Sequence, residues 1–306
     1  MPGRWIVHLK EIVVSSTPII MVPRQSKDES KAALVLAHTA AKRLGARIII
    51  THVSADSIAS DLLQANLGLS DEDMTGCDLE VLQSDNIAET LLKRAEELRP
   101  RLMVLRAGVE AESEITQTII SRTCCAAVVI RYDMDLPRLA EGNWVKHILV
   151  PLDAAPASAE AVRRAARIAR RESASLDLLH ITGPGQEAPA EPGSLPVGIF
   201  VDNPHYDLRI WQNEFLSRFF QGVVPDTSGL TPEVHLAIGE VADEIISFAK
   251  THSTDLIVTA WQGVLDDGHA AVVRRLLSKA PCQLLFLIIG NESAQTANKE
   301  SSATAS

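Results

Sequence analysis

His52 and His180 carry imidazoles, a group that changes charge near neutral pH and can do acid–base chemistry. Each closes an apolar run, Ile48-Ile49-Ile50-Thr51-His52-Val53 and Leu176-Asp177-Leu178-Leu179-His180-Ile181. Ser30 and Ser158 recur with them, and a serine activated by a histidine base would be a nucleophile for acyl transfer. The sequence supports no such pair. It contains no Gly-x-Ser-x-Gly, phosphate-loop lysine or His-Glu-x-x-His. Ser30 and Ser158 open alanine-rich runs, where a hydroxyl caps a helix, and the two histidines are expected to cap or pack strand ends. Cys77, Cys124, Cys125 and Cys282 lack the spacing of a metal motif and read as small buried hydrophobes in a reducing compartment. No catalytic residue and no metal site is expected.

The elements that position these residues are written twice. Val22 and Val150, Ser30 and Ser158, and His52 and His180 are each 128 residues apart. A repeat of this length is a whole domain duplicated, and a chain of 306 residues accommodates two domains, each able to bury a core. In the first copy, Ile19–Val22 reads as a strand, and Ser26 with Glu29 as a capping box. Ala33, Ala37, Ala40, Ala41 and Leu44 then mark a helix face that Gly45 ends. Strands at Ile48–Val53, Leu79–Leu82, Leu102–Leu105 and Ala126–Ile130 follow, separated by helices through Ile87, Leu91, Ala95 and Leu98 and through Ile115 and Ile119. Val241, Ile245 and Ala249 repeat Ile87, Leu91 and Ala95, but the offset has grown to 154, so 26 residues are extra. Strands alternating with helices imply parallel βαβ units. Each copy is expected to be a doubly wound α/β domain with a roughly five-stranded, mainly parallel sheet.

Charge and hydropathy narrow the function. A net charge of −10 argues against a non-specific nucleic-acid binder, which needs clustered Lys and Arg. The apolar patch from Trp5 to Val14 is broken by His8, Lys10 and Glu11, so it lacks the core of a signal peptide. No stretch reaches the length of a membrane span. A soluble, cytoplasmic protein is expected.

The ordered set His147-Ile148-Leu149-Val150-Pro151-Leu152-Asp153, Leu179-His180-Ile181, Gly239-Glu240-Val241-Ala242-Asp243-Glu244-Ile245, Thr254-Asp255-Leu256-Ile257-Val258 and Ala280-Pro281-Cys282-Gln283-Leu284-Leu285 resembles the universal stress protein family in its tandem form. The resemblance spans residues 145–288 and, more weakly, 17–131. It implies a Rossmann-like fold of the adenine nucleotide alpha hydrolase type. It also implies either ATP binding or a regulatory protein that has lost it. In ATP-binding members an Asp after the first strand contacts the nucleoside, and a loop of spacing G-x2-G-x9-G-[ST] after the fourth wraps the phosphates, where glycine amides and a helix N-terminus can meet an anion. On this sequence the resemblance assigns Pro151, Leu152, Asp153, Ile181, Ala260, Gly263 and Gly268 to a nucleotide site.

The match is incomplete. Asp266 stands where the second glycine belongs, the closing Gly-Ser is Ala270-Ala271, and the loop is about six residues short. Two carboxylates, Asp266 and Asp267, replace amide donors and would repel phosphate unless a divalent cation bridged them. In the first copy Gln25 stands for the Asp, and Arg106 to Glu112 holds one glycine and two glutamates.

The surplus residues carry a second candidate. A Pro/Gly-rich stretch begins at Gly183, and Asp207–Gln221 then reads as a helix with Leu208, Trp211, Phe215 and Phe219 on one face. That face either packs on its own sheet or forms an interaction surface of Tyr206, Trp211, Phe215 and Phe219, since exposed aromatics anchor interfaces.

The expected domains are 1–135, degenerate in its site, and 144–290, with an insertion at about 182–233. A linker at 136–143 and a disordered tail at 291–306 complete the chain. The halves are expected to form an internal pseudo-dimer, with a homodimer or protein partner as a further possibility. The expected function is regulatory and non-enzymatic, acting through protein interaction with no firm cofactor. The alternative is ATP bound in the second half with slow or no hydrolysis.

Overall fold

The structure is a computed structural model that describes residues 17–26, 31–56, 60–107, 111–131, 144–152, 156–182, 230–261 and 267–288. The expected linker, tail and aromatic helix lie outside the described residues.

The first half runs β1 (Ile19–Pro23), α1 (Ala32–Leu44), β2 (Arg47–Ser54), α2 (Ser60–Asn66), β3 (Cys77–Gln83), α3 (Ile87–Leu98), β4 (Leu102–Arg106), α4 (Ala111–Arg122) and β5 (Ala126–Ile130). The second runs β6 (His147–Leu152), α5 (Pro156–Glu172), β7 (Ser175–Thr182), β8 (Glu233–Ile238), α6 (Val241–Thr251), β9 (Leu256–Trp261), α7 (Asp267–Lys279) and β10 (Gln283–Ile288). All ten strands form one sheet of order β3-β2-β1-β4-β5-β10-β9-β6-β7-β8. Within each half the pairing is parallel, with the doubly wound order expected of alternating strands and helices. The halves meet where β5 and β10 pair antiparallel, setting Val129 beside Leu284 and Ala127 beside Phe286.

Strand composition follows from this two-sided cover. Ile48 to Val53 are all buried in β2, because helices lie on both faces of the sheet. One apolar cluster unites α1, α2 and α5 with their face of the sheet, and a second unites α3, α4, α6 and α7 with the other. Each cluster contains residues of both halves. Among the described residues no helix is long and apolar enough to cross a membrane.

The helix ends correct two expectations. Gly45 does end α1, with φ +60° and its N–H on the Ala41 carbonyl. The start of α1, however, is Ala32, capped by Lys31 without a side-chain hydrogen bond. Ser26 therefore lies well before the helix and is not its cap, while Glu29 and Ser30 are outside the described residues. Ser158 is no cap either. Proline is favoured at the first helical position, and Pro156 opens α5, which leaves Ser158 buried inside the first turn.

Candidate functional site

β6 and β9 pair through Ile148–Leu256 and Leu149–Ile257, and the ladder goes no further. Their carboxyl ends part because the chain leaves the sheet in opposite directions from these two strands. Pro151, which has no N–H to donate, stands on the parting stretch. In the first half β1 and β4 part in the same way after Ile20–Leu102 and Met21–Met103. Open α/β sheets bind ligands at such a switch point.

Four of the residues singled out in the sequence lie at the carboxyl ends of second-half strands. Pro151 and Leu152 end β6, Ile181 is near the end of β7, and Ala260 is near the end of β9. Strand alternation divides them between faces. Leu152 and Ala260 join the cluster under α1 and α5, whereas Ile181, and Pro151 beside Leu179, face α6 and α7. The four therefore share strand ends without sharing a wall. Gly268 is the second residue of α7. Asp153 and Gly263, and the aromatic set Tyr206, Trp211, Phe215 and Phe219, lie outside the described residues.

The strand-end histidines have a common task. His180 Nδ1 lies 3.2 Å from the Leu152 carbonyl oxygen, and His52 Nδ1 lies 2.9 Å from that of Arg24. A carbonyl only accepts, so each Nδ1 carries the proton. Donor and acceptor shift together by 128 residues between the copies. Both imidazoles are buried, each 7% exposed, and each ties the loose end of the first strand to the second. This is the capping and packing role expected of them.

Arg24 is a difference between the halves that the sequence did not announce. It occupies the position of Leu152 and is 2% exposed. Its Nε donates to the Leu67 carbonyl at 2.9 Å, and Leu63, Leu67 and Leu69 of that segment are buried. A buried guanidinium persists only with acceptors in place, so this contact holds the segment after α2 against the end of β1. The first half thus ties its α2–β3 segment to the end of β1, where the second half has Leu152. The signal for it was an arginine aligned with a leucine once the copies were superposed.

The thiols are unsuited to nucleophilic work. Burial pushes Cys282 up to about 12 and Cys125 up to about 11. Burial, with help from the Asp78 and Asp73 charges, pushes Cys77 up to about 11. Each therefore stays a thiol at neutral pH.

Residues 145–287 match the family model described as Universal stress protein family. Among solved structures, the chain is similar to a universal stress protein from Archaeoglobus fulgidus DSM 4304, at 12% identity and a TM-score of 0.60, covering 90% of this chain and 97% of that one. It is also similar to a functionally unknown protein from Pseudomonas aeruginosa PAO1, at 11% identity and a TM-score of 0.64, covering 94% and 98%. At these identities the likeness is one of fold, and it extends over both halves. No curated protein matches the chain.

Proposed function

Residues 145–287 constitute a domain of the Universal stress protein family, and from that premise we propose that the chain is a regulatory, non-enzymatic protein that acts through protein interaction, its nucleotide sites degenerate. The observation that carries this reading is the buried Arg24 at the end of β1, held by the Leu67 carbonyl at the position where the second half has Leu152. The sequence of the second half adds to it, since Asp266 and Asp267 stand where an anion would need amide donors. The aromatic set Tyr206, Trp211, Phe215 and Phe219, read from the sequence alone, is assigned to a partner. Calorimetric titration of the purified chain with ATP and Mg2+ tests the reading. No binding is the expected result, and micromolar affinity overturns it.

A second reading keeps ATP in the second half. It is favoured by the parting of β6 and β9, with Asp153 following directly on Leu152. On that reading Asp153→Ala abolishes the heat of ATP binding while Gln25→Ala leaves it unchanged.

A further inference from the structure

The two copies serve as controls for each other at the outer edges of the sheet, far from the crevice. In the first half, Ile49 on β2 pairs with Asp78 on β3, and Glu80 lies two residues along on the same face. Glu80 accepts a hydrogen bond from Thr51 at 2.9 Å, and Arg94 of α3 pairs with it at 2.8 Å. This is an ordinary carboxylate with an arginine counter-charge.

The second half has exchanged every member of that arrangement. By strand register Ile49 corresponds to Asp177, Asp78 to Glu233, Glu80 to His235 and Thr51 to Leu179. By the matched buried faces of α3 and α6, where Leu91 and Ala95 correspond to Ile245 and Ala249, Arg94 corresponds to Phe248. The arginine has gone and a carboxylate has appeared within the sheet. Asp177 is 8% exposed. Its contact among the described residues is His235, with Nε2 2.9 Å from Oδ1. Burying a carboxylate without a cation is costly.

We propose that Asp177, Glu233 and His235 form a binding site for a divalent transition-metal ion of the Zn2+ kind, at the amino-terminal end of β7 and β8. The register sets Glu233 beside Asp177, and alternation brings His235 onto the same face two residues on. His235 Nε2 lies 4.0 Å from Glu233 Oε2, and one ligand atom from each residue falls within 4.8 Å of the others. An ion about 2.1 Å from each ligand spans separations up to about 4.2 Å. Glu233, the exposed member, has to move in, and the 2.9 Å His235–Asp177 contact has to open to about 3.4 Å, the ligand separation of a tetrahedral ion. The donor set of one imidazole and two carboxylates suits Zn2+ and its first-row neighbours.

The surroundings orient the imidazole. Phe248 lies against the His235 ring at 4.7 Å between centroids and stacks on His252 at 3.8 Å. An aromatic wall of this kind limits rotation of a ligating ring, the task an outer shell performs at metal sites. His235 also lines an open cavity of about 390 Å3 under α6, which gives an ion a route to it.

The test is equilibrium binding of Zn2+ to the full chain, prepared without a histidine tag. One ion per chain is expected, with micromolar or tighter affinity. Asp177→Asn and His235→Gln are each expected to weaken it at least about ten-fold, and Glu233→Gln less. X-ray absorption of the unsubstituted chain with Zn2+ needs no variant to fold. It should report one imidazole nitrogen and two carboxylate oxygens. No stoichiometric Zn2+, a sulfur ligand in the shell, or undiminished binding in folded variants overturns the proposal. The outcome is independent of whether ATP binds at the opposite ends of the strands.

Discussion

Asp73 illustrates how much a single surface carboxylate can hold. It accepts hydrogen bonds from Lys31 Nζ at 2.6 Å and from the Ser70 hydroxyl at 2.7 Å and amide at 2.8 Å, tying the segment before β3 to the start of α1. Burial alone would raise its pKa, but the Lys31 and Ser70 hydrogen bonds outweigh it and bring the group from 3.8 to about 2. A depressed carboxylate stabilises the fold above its unfolded pKa, and that contribution fades as pH falls through the folded one. The window is therefore from about 4 down to about 2. Asp73→Asn should lower stability at neutral pH by on the order of 1 kcal/mol after solvent screening. Urea midpoints of the variant and parent should converge below the window, and a constant difference down to acid pH would contradict this. The thiols yield a second residue-scale expectation. With an aromatic disulfide reagent near neutral pH, Cys125 and Cys282 should react only after unfolding, because both are buried and protonated. Prompt modification of either in the native chain would show the burial to be wrong.

At the scale of elements, the apolar periodicity located every strand and helix anticipated in the described residues, because a buried face leaves its repeat in the chain. Ile87, Leu91 and Ala95 do lie along α3, and Asn86 caps it by accepting from the Glu89 amide. The starts of α1 and α5 were less legible. A serine near a helix start is ambiguous between cap and first turn, and Pro156 resolved it only in the structure. The helix face of α1 was also drawn too narrowly. Ala37 and Ala41 are buried as expected, yet Ala32, Leu34 and Leu36 are buried too. The helix sits on the sheet and beside the segment around Leu63 and Leu67, so more than one side is covered. The stop at Gly45 supports a prediction. An added Cβ meets nothing within 4 Å, so Gly45→Ala costs only the left-handed backbone, about 1 kcal/mol. A chevron or urea titration reads it, and a neutral substitution would mean that the turn relaxes.

At the scale of the molecule, the strands of the described residues form one sheet, with apolar clusters that cross its seam. Phe286 is fully buried at the seam, beside Ala127 of the other half, and Arg131 donates its backbone N–H to Gln283 Oε1 at 2.7 Å. Unfolding one half would strip the other of core contacts. The chain should therefore lose tryptophan fluorescence and far-ultraviolet ellipticity in a single coincident urea transition. Phe286→Ala should shift that transition by about 3 to 5 kcal/mol without splitting it. Two separated transitions would show the halves to be independent.

The sequence by itself determined the doubling, the α/β class and the order of elements, because hydrophobic period and helix punctuation are local properties. It also placed Asp266, Asp267 and Gln25 at positions where the family resemblance expects phosphate and nucleoside contacts, since these are identities and need no coordinates. Only the tertiary structure decided that the halves join through β5 and β10. It alone decided that Arg24 reaches the Leu67 carbonyl, and that Asp177 meets Glu233 and His235. Those partners are dozens of residues apart in the chain. They become neighbours through strand register and crossover packing, which depend on how whole elements dock and leave no mark on the residues taken one at a time.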